Sequence, residues 1–262
     1  EHGRDAFALN YMAINLGMSI GPTLGGFLAE VNYRYLFWVD GTTSAVAAAL
    51  LLLSGTVCPP VEKHAEAKVD WNIGRPALRM YLWLCLFFWS FMTFFAAGPV
   101  YAVKWLHLSE HDVGYIWLFN TILIVLTNLW VNRLTAGYPL PRLLAAGCTF
   151  QAATYLTLAL APGVGGLILA TLWLTVGEML LFSNANAYVA KVVPPEKMGR
   201  AMGVNALCVS LALMTSAPTM GYFFSHHSPV WLWAAMGGAA ALAALGMTGL
   251  PGHEQQGREP QQ

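Results

Sequence analysis

The stretch GRDAFALNYMAINLGMSIGPTLGGF, Gly3 to Phe27, decides how this chain is read. It is apolar for most of its length, yet Leu16 to Gly26 holds four glycines and one proline. In water these are the poorest residues for a helix interior. Lipid changes the balance. A segment crossing the bilayer must satisfy its own backbone polar groups, which favours a helix, and small residues let two helix backbones approach closely. Gly17, Gly21 and Gly25 follow at i, i+4 and i+8, so they share one face. Pro22 removes the hydrogen bond to the Met18 carbonyl and bends the helix.

The rest of the chain agrees with a membrane setting. Soluble domains carry about 25% charged residues; this chain of 262 residues carries 10% and is 57% hydrophobic. Its apolar residues fall into eight blocks, 7–30, 36–56, 80–103, 113–131, 142–161, 165–190, 201–224 and 230–250. Each is close to the ~20 residues that cross a bilayer as a helix. The expected fold is therefore all-α and polytopic. A soluble helical protein would need polar faces that these blocks lack.

Lys and Arg set the orientation. Arg4, Lys63, Lys68, Arg75, Arg79, Arg133, Arg142, Lys191, Lys197, Arg200 and Arg258 fall on one side, and only Arg34 and Lys104 on the other. Both termini and the 57–79 connection are expected in the cytoplasm, with the protein in the cell membrane. Tyr33, Trp38, Tyr101, Trp105, Trp130 and Trp231 stand at block ends as interfacial anchors. Trp71, Ile73 and Leu78 mark an interfacial segment in the connection. The formal net charge of zero gives no footprint for nucleic acid. Cys58, Cys85, Cys148 and Cys208 show neither metal spacing nor a disulfide framework, and read as small apolar fillers.

The opening stretch has an echo. GRAMGVNALCVSLALMTSAPTMGYF begins at Gly199, and Gly3/Gly199, Arg4/Arg200, Met18/Met214, Pro22/Pro218, Thr23/Thr219, Gly25/Gly221 and Phe27/Phe223 match without a gap, 196 residues apart. That offset crosses six blocks, so a six-helix unit is repeated. The second copy occupies blocks three to eight; the first retains its last two helices. The organisation expected is 1–56 as the end of one half, 57–79 as the loop between halves, 80–252 as a complete six-helix half and 253–262 as a polar tail.

Two six-helix halves joined by a long cytoplasmic loop resemble the major facilitator superfamily. GMSIGPTLGG, with Gly17, Gly21, Pro22, Gly25 and Gly26, resembles the fifth-helix signature of its proton-coupled antiporters. PPEKMGRAMG, Pro194 to Gly203, is similar to the cytoplasmic start of its eleventh helix. The resemblance implies helices five to twelve of a twelve-helix transporter, monomeric when whole. It also implies that blocks two, five and eight are peripheral and that the others line the cavity.

Glu178 is the sharpest single residue. It lies midway along the sixth block, the one Asp, Glu, Lys, Arg or His deep within any block. A charge at the bilayer centre costs at least ~2.5 kcal/mol, and such residues face a cavity or a partner. A carboxyl that exchanges protons as water access alternates is what proton coupling requires. Thr171, Thr175 and Glu178 fall at i, i+4 and i+7, with Asn186 near the same stripe, so one face of this helix is polar. Asn15, Phe88, Trp89, Asn120 and Asn205 complete the set expected to line a substrate cavity, Phe88 and Trp89 because aromatic walls suit lipophilic or cationic solutes. Asp40 reads as a cap or interfacial group, and His107, His111, His226 and His227 as solvated loop residues.

The function expected is secondary active transport, the proton-driven efflux of small lipophilic solutes by alternating access, with a small molecule and the bilayer as partners. The proton gradient is the energy source, and no cofactor or metal is expected. The alternatives are an uptake symporter for peptides, sugars or organic acids on the same fold, and a non-transporting membrane scaffold. A membrane enzyme would need clustered His, Asp or a nucleophile at one depth, and the blocks carry none.

Overall fold

The computed structural model describes residues 13–14, 16–17, 20–21, 24, 28, 31–55 and 72–251. The described residues form seven long helices: α1 Tyr33–Leu53, α2 Arg75–Lys104, α3 Glu110–Leu134, α4 Leu140–Leu160, α5 Val164–Val192, α6 Met198–His226 and α7 Pro229–Thr248. One 3-10 turn, Pro195–Lys197, leads into α6. All seven are long and apolar enough to cross a membrane. The first expected block, 7–30, falls largely outside the described residues; its described positions, Ala13 to Leu28, are helical.

Most helices outrun the apolar blocks. α2 starts at Arg75, so the expected connection 57–79 ends earlier than its polarity suggested. Pro76 in its first turn has the φ a helix start requires and gives up an N–H that would have no partner there. At 30 residues α2 spans about 45 Å, against a hydrocarbon core of about 30 Å. The surplus carries Arg75 and Arg79 at one end and Lys104 at the other into the headgroup zones. α3 starts on a capping box, with the Ser109 hydroxyl accepting from the Asp112 N–H and the Asp112 carboxylate accepting from the Ser109 N–H.

The chain divides into two compact units, Leu16–Trp71 and Glu1–Asn15 with Asn72–Gln262. In the first, α1 has no buried residue, and Phe37, Trp38, Leu52 and Leu53 are each more than seven-tenths exposed. Its N-cap is Asn32, whose side chain accepts from the Arg34 N–H. Asp40 sits two turns inside the helix, so it is no cap, contrary to one of its expected roles. Thr42 and Thr43 donate their hydroxyls to the Trp38 and Val39 carbonyls one turn back.

In the second unit the strongest packing runs α4 on α5, α4 on α7 and α2 on α6, with α2 also on α7 and α3 on α5. Gly147 and Gly177 set the α4–α5 crossing. A Cβ on Gly147 would lie 2.9 Å from the Gly177 carbonyl oxygen, and one on Gly177 would lie 2.8 Å from the Gly147 oxygen. The two backbones touch there, the close approach that small residues permit. Gly246 of α7 lies under the Trp83 indole, where a Cβ would come within 2.1 Å of the ring. Gln151 and Thr154 of α4, polar residues on a helix expected to be peripheral, are fully buried against neighbouring helices. Ile73, expected at the interface, is 5% exposed and joins the core at the foot of α2. The outward faces of α2, α3, α6 and α7 carry exposed Leu82, Ile122, Leu126, Leu211 and Leu242, as lipid contact requires.

Candidate functional site

Glu178 is the fifteenth of the 29 residues of α5 and is 5% exposed. Helical periodicity places Thr171, Thr175, Glu178 and Phe182 on one stripe of α5, the polar face expected from the sequence. The two threonines are fully buried, and their hydroxyls donate to the carbonyls of Leu167 and Thr171, 2.8 and 2.7 Å away. These bonds let a hydroxyl lie in an apolar helix without an unmet donor. Their lone pairs stay available to neighbours.

α3 supplies the facing wall. The Asn120 amide donates from Nδ2 to the Thr175 Oγ1 at 2.7 Å, both groups buried. Two turns along, the Thr127 hydroxyl lies 3.4 Å from the Met179 sulfur while bonding the Leu123 carbonyl. Ile124 and Met179 pack between these contacts. Asn128 is fully buried further along α3, its Oδ1 accepting from Asn132 Nδ2. The α3–α5 seam is thus polar and apolar by turns.

α2 closes the site with rings. Phe182, one turn after Glu178, meets Phe87, Phe88 and Phe91 with centroids 6.3, 5.7 and 5.4 Å away. The ladder continues through Phe95, 4.9 Å from Phe91, to Trp117 of α3, stacked on Phe95 at 4.5 Å. Beyond it lies a narrow cleft between the last turns of α2 and the first turns of α3 and α5. Phe94, Pro99, Ile116, Trp117, Leu167 and Thr171 line it. Pro99 has no N–H to offer the Phe95 carbonyl, so the helix is short of one bond beside this cleft.

The other expected site residues are scattered. Phe88 is 2% exposed, its ring packed on Phe87 and Phe182. The Trp89 indole N–H donates to the Thr219 hydroxyl at 3.2 Å across the α2–α6 boundary, beside Pro218 inside α6. Asn205 is half-buried on α6, a helix that packs chiefly on α2 and little on α5. Asn15, Pro22, Gly25 and Gly26 lie outside the described residues. Gly17 and Gly21 are helical, and a Cβ on either would meet no atom within 4 Å.

Two readings change. Cys85 and Cys208 are not fillers: their sulfurs are bonded, with Cα atoms 4.9 Å apart, tying α2 to α6. The pair stands 123 residues apart on two helices, and linear spacing carries no signal for such a partner. Cys148 is a free thiol buried on α4. Along α5, Asn184 and Ser183 are buried more deeply than Asn186, and the Asn184 amide donates to the Leu180 carbonyl at 2.7 Å. Phe182 also went unnoticed, although its spacing of four from Glu178 marks the shared face. Among the described residues no cluster of His, Cys, Asp or Glu could hold a metal ion.

Seven membrane-length helices among the described residues, one of them carrying a buried mid-span carboxyl, describe a polytopic helical membrane protein. The family model described as Major Facilitator Superfamily matches residues 2–217 and, in a second placement, 84–261. The chain belongs to the Major Facilitator Superfamily and is a membrane transporter of that type. No curated protein matches it.

Proposed function

We propose that this protein is a proton-coupled exporter of small lipophilic solutes, working by alternating access with Glu178 as its proton carrier. The observation that carries this reading is the carboxyl itself: mid-helix, 5% exposed, on one stripe with two buried threonines and one turn from an aromatic cluster. Protonation removes the cost of holding a charge there, so the protonated and ionised forms favour different facing states. The antiporter-like glycine–proline signature at Gly17 to Gly26 supports export. The described helices would be helices six to twelve of a twelve-helix protein, with the signature on the fifth.

The test is transport in vesicles of defined orientation, using lipophilic dyes and an imposed proton gradient. Glu178→Gln keeps the shape and abolishes the charge. Proton-driven efflux should fall to background, while exchange of solute down its own gradient persists. Unchanged proton-driven efflux in the variant would overturn the assignment, and uptake in place of efflux would favour the symporter.

A further inference from the structure

The outer cleft and the polar seam meet on α5. Thr171, fully buried, is shared by both: it lines the cleft, and its carbonyl accepts the Thr175 hydroxyl one turn on. Thr175 in turn accepts the Asn120 amide at 2.7 Å, and Glu178 follows three residues later. From Thr171 to Glu178 is about 10 Å along the helix. The Asn120–Thr175 bond therefore lies between a cleft at the Lys104 end of the bundle and the buried carboxyl. The threonine hydroxyls give their protons to backbone carbonyls, so they do not relay a proton themselves. A proton crossing this gap needs water, and the Asn120 bond stands where that water would pass.

We propose that the Asn120–Thr175 hydrogen bond is a plug that separates the cleft from Glu178, and that its opening admits the proton from the Lys104 side. The proposal rests on the reading of Glu178 as proton carrier. The step is simple: a carboxylate oxygen of Glu178 takes a proton from hydronium in the admitted water, giving the neutral acid and water, and when the carboxyl faces the opposite side it gives that proton to water there, so each cycle carries one proton across. Interhelical bonds of this kind in membranes are weak enough to break and re-form during a conformational change. Besides Glu178, the Asp, Glu, Lys, Arg and His residues of α2, α3, α4 and α5 stand within about a turn of a helix end: Arg75, Arg79 and Lys104, then Glu110, His111, Asp112 and Arg133, then Arg142, then Lys191. Asn120 and Thr175 become positioning residues that time access, where the sequence pointed to solute contact.

The test uses the protein in liposomes with a trapped pH dye and an acid step on the Lys104 side, without solute. Asn120→Ala and Thr175→Val should each speed proton influx about tenfold, a size in keeping with one lost interhelical bond. Thr175→Ser, which keeps the hydroxyl, should stay near the unaltered rate. Adding Glu178→Gln to Asn120→Ala should return influx to baseline. Unchanged influx in both plug variants, or a leak that survives Glu178→Gln, would overturn the proposal. A labelling experiment covers variants that fold poorly in the flux assay. Glu178→Cys should react with an impermeant thiol reagent from the Lys104 side only when Asn120 is also Ala; equal reaction in both backgrounds would overturn it. The labelling reads access alone. If Glu178→Gln leaves proton-driven efflux intact, the functional reading fails whether or not the plug is found.

Discussion

Gly147 and Gly177 leave no room for a side chain at the α4–α5 crossing, since a Cβ on either falls under 3.0 Å from the partner's backbone oxygen. Gly147→Val should force the helices apart and cost about 1–3 kcal/mol, as overpacking does. Thermal unfolding in detergent would show it as a midpoint several degrees lower. Gly114→Ala is the control: a Cβ there meets nothing within 4 Å, and its midpoint should stay unchanged or rise slightly. Neither outcome follows from the sequence, where Gly114 and Gly147 are both glycines in apolar blocks. Glu178 and its threonine stripe were legible, because charge in lipid is costly and helical spacing fixes which residues share a face. The bond from Asn120 to Thr175 was not, since spacing along one helix says nothing of which neighbour it meets.

At the scale of elements, α2 is the organising helix, tied to α6 by the Cys85–Cys208 bond and by Trp89 on Thr219. Both helices carry an internal proline, Pro99 and Pro218, and each proline lies beyond the disulfide toward the Lys104 end. The disulfide fastens the portions before the prolines, and the Lys104 ends meet through rings, with Trp105 4.6 Å from Phe224. Peptide mapping should recover Cys85 and Cys208 joined without reductant and separately alkylated after reduction, with Cys148 alkylated in both cases. Replacing both bonded cysteines with serine should lower the unfolding midpoint by removing a cross-link that constrains the unfolded chain. Recovery of Cys85 and Cys208 as free thiols before reduction would remove this fastening. The helices themselves were readable from block length and differ from expectation mainly at their ends. There, caps such as Ser109 with Asp112 and Pro76 carry helix past the apolar run.

For the whole molecule, the expected repeat at an offset of 196 residues rests on a proline and a glycine that recur at matching positions, Pro22/Pro218 and Gly25/Gly221. Charge bias predicts which side each loop faces, and Lys104 and Arg34 stand against eleven basic residues opposite. Cysteines placed at loop positions 107 and 227 should react with an impermeant reagent from outside intact cells, and one at 137 only after permeabilisation. The reverse pattern would invert the orientation and with it the side from which the plug opens.

The central claim is that the Glu178 carboxyl takes up and releases protons inside the membrane. Carbodiimide modification tests it without any knowledge of the solute, because a lipophilic carbodiimide adds to a protonated, water-poor carboxyl. The purified protein in lipid should be modified at Glu178 in acidic buffer and progressively less as pH rises, with Glu178→Gln unmodified at that peptide. Modification of Glu178 that is absent, or constant from acidic to alkaline buffer, would contradict the account.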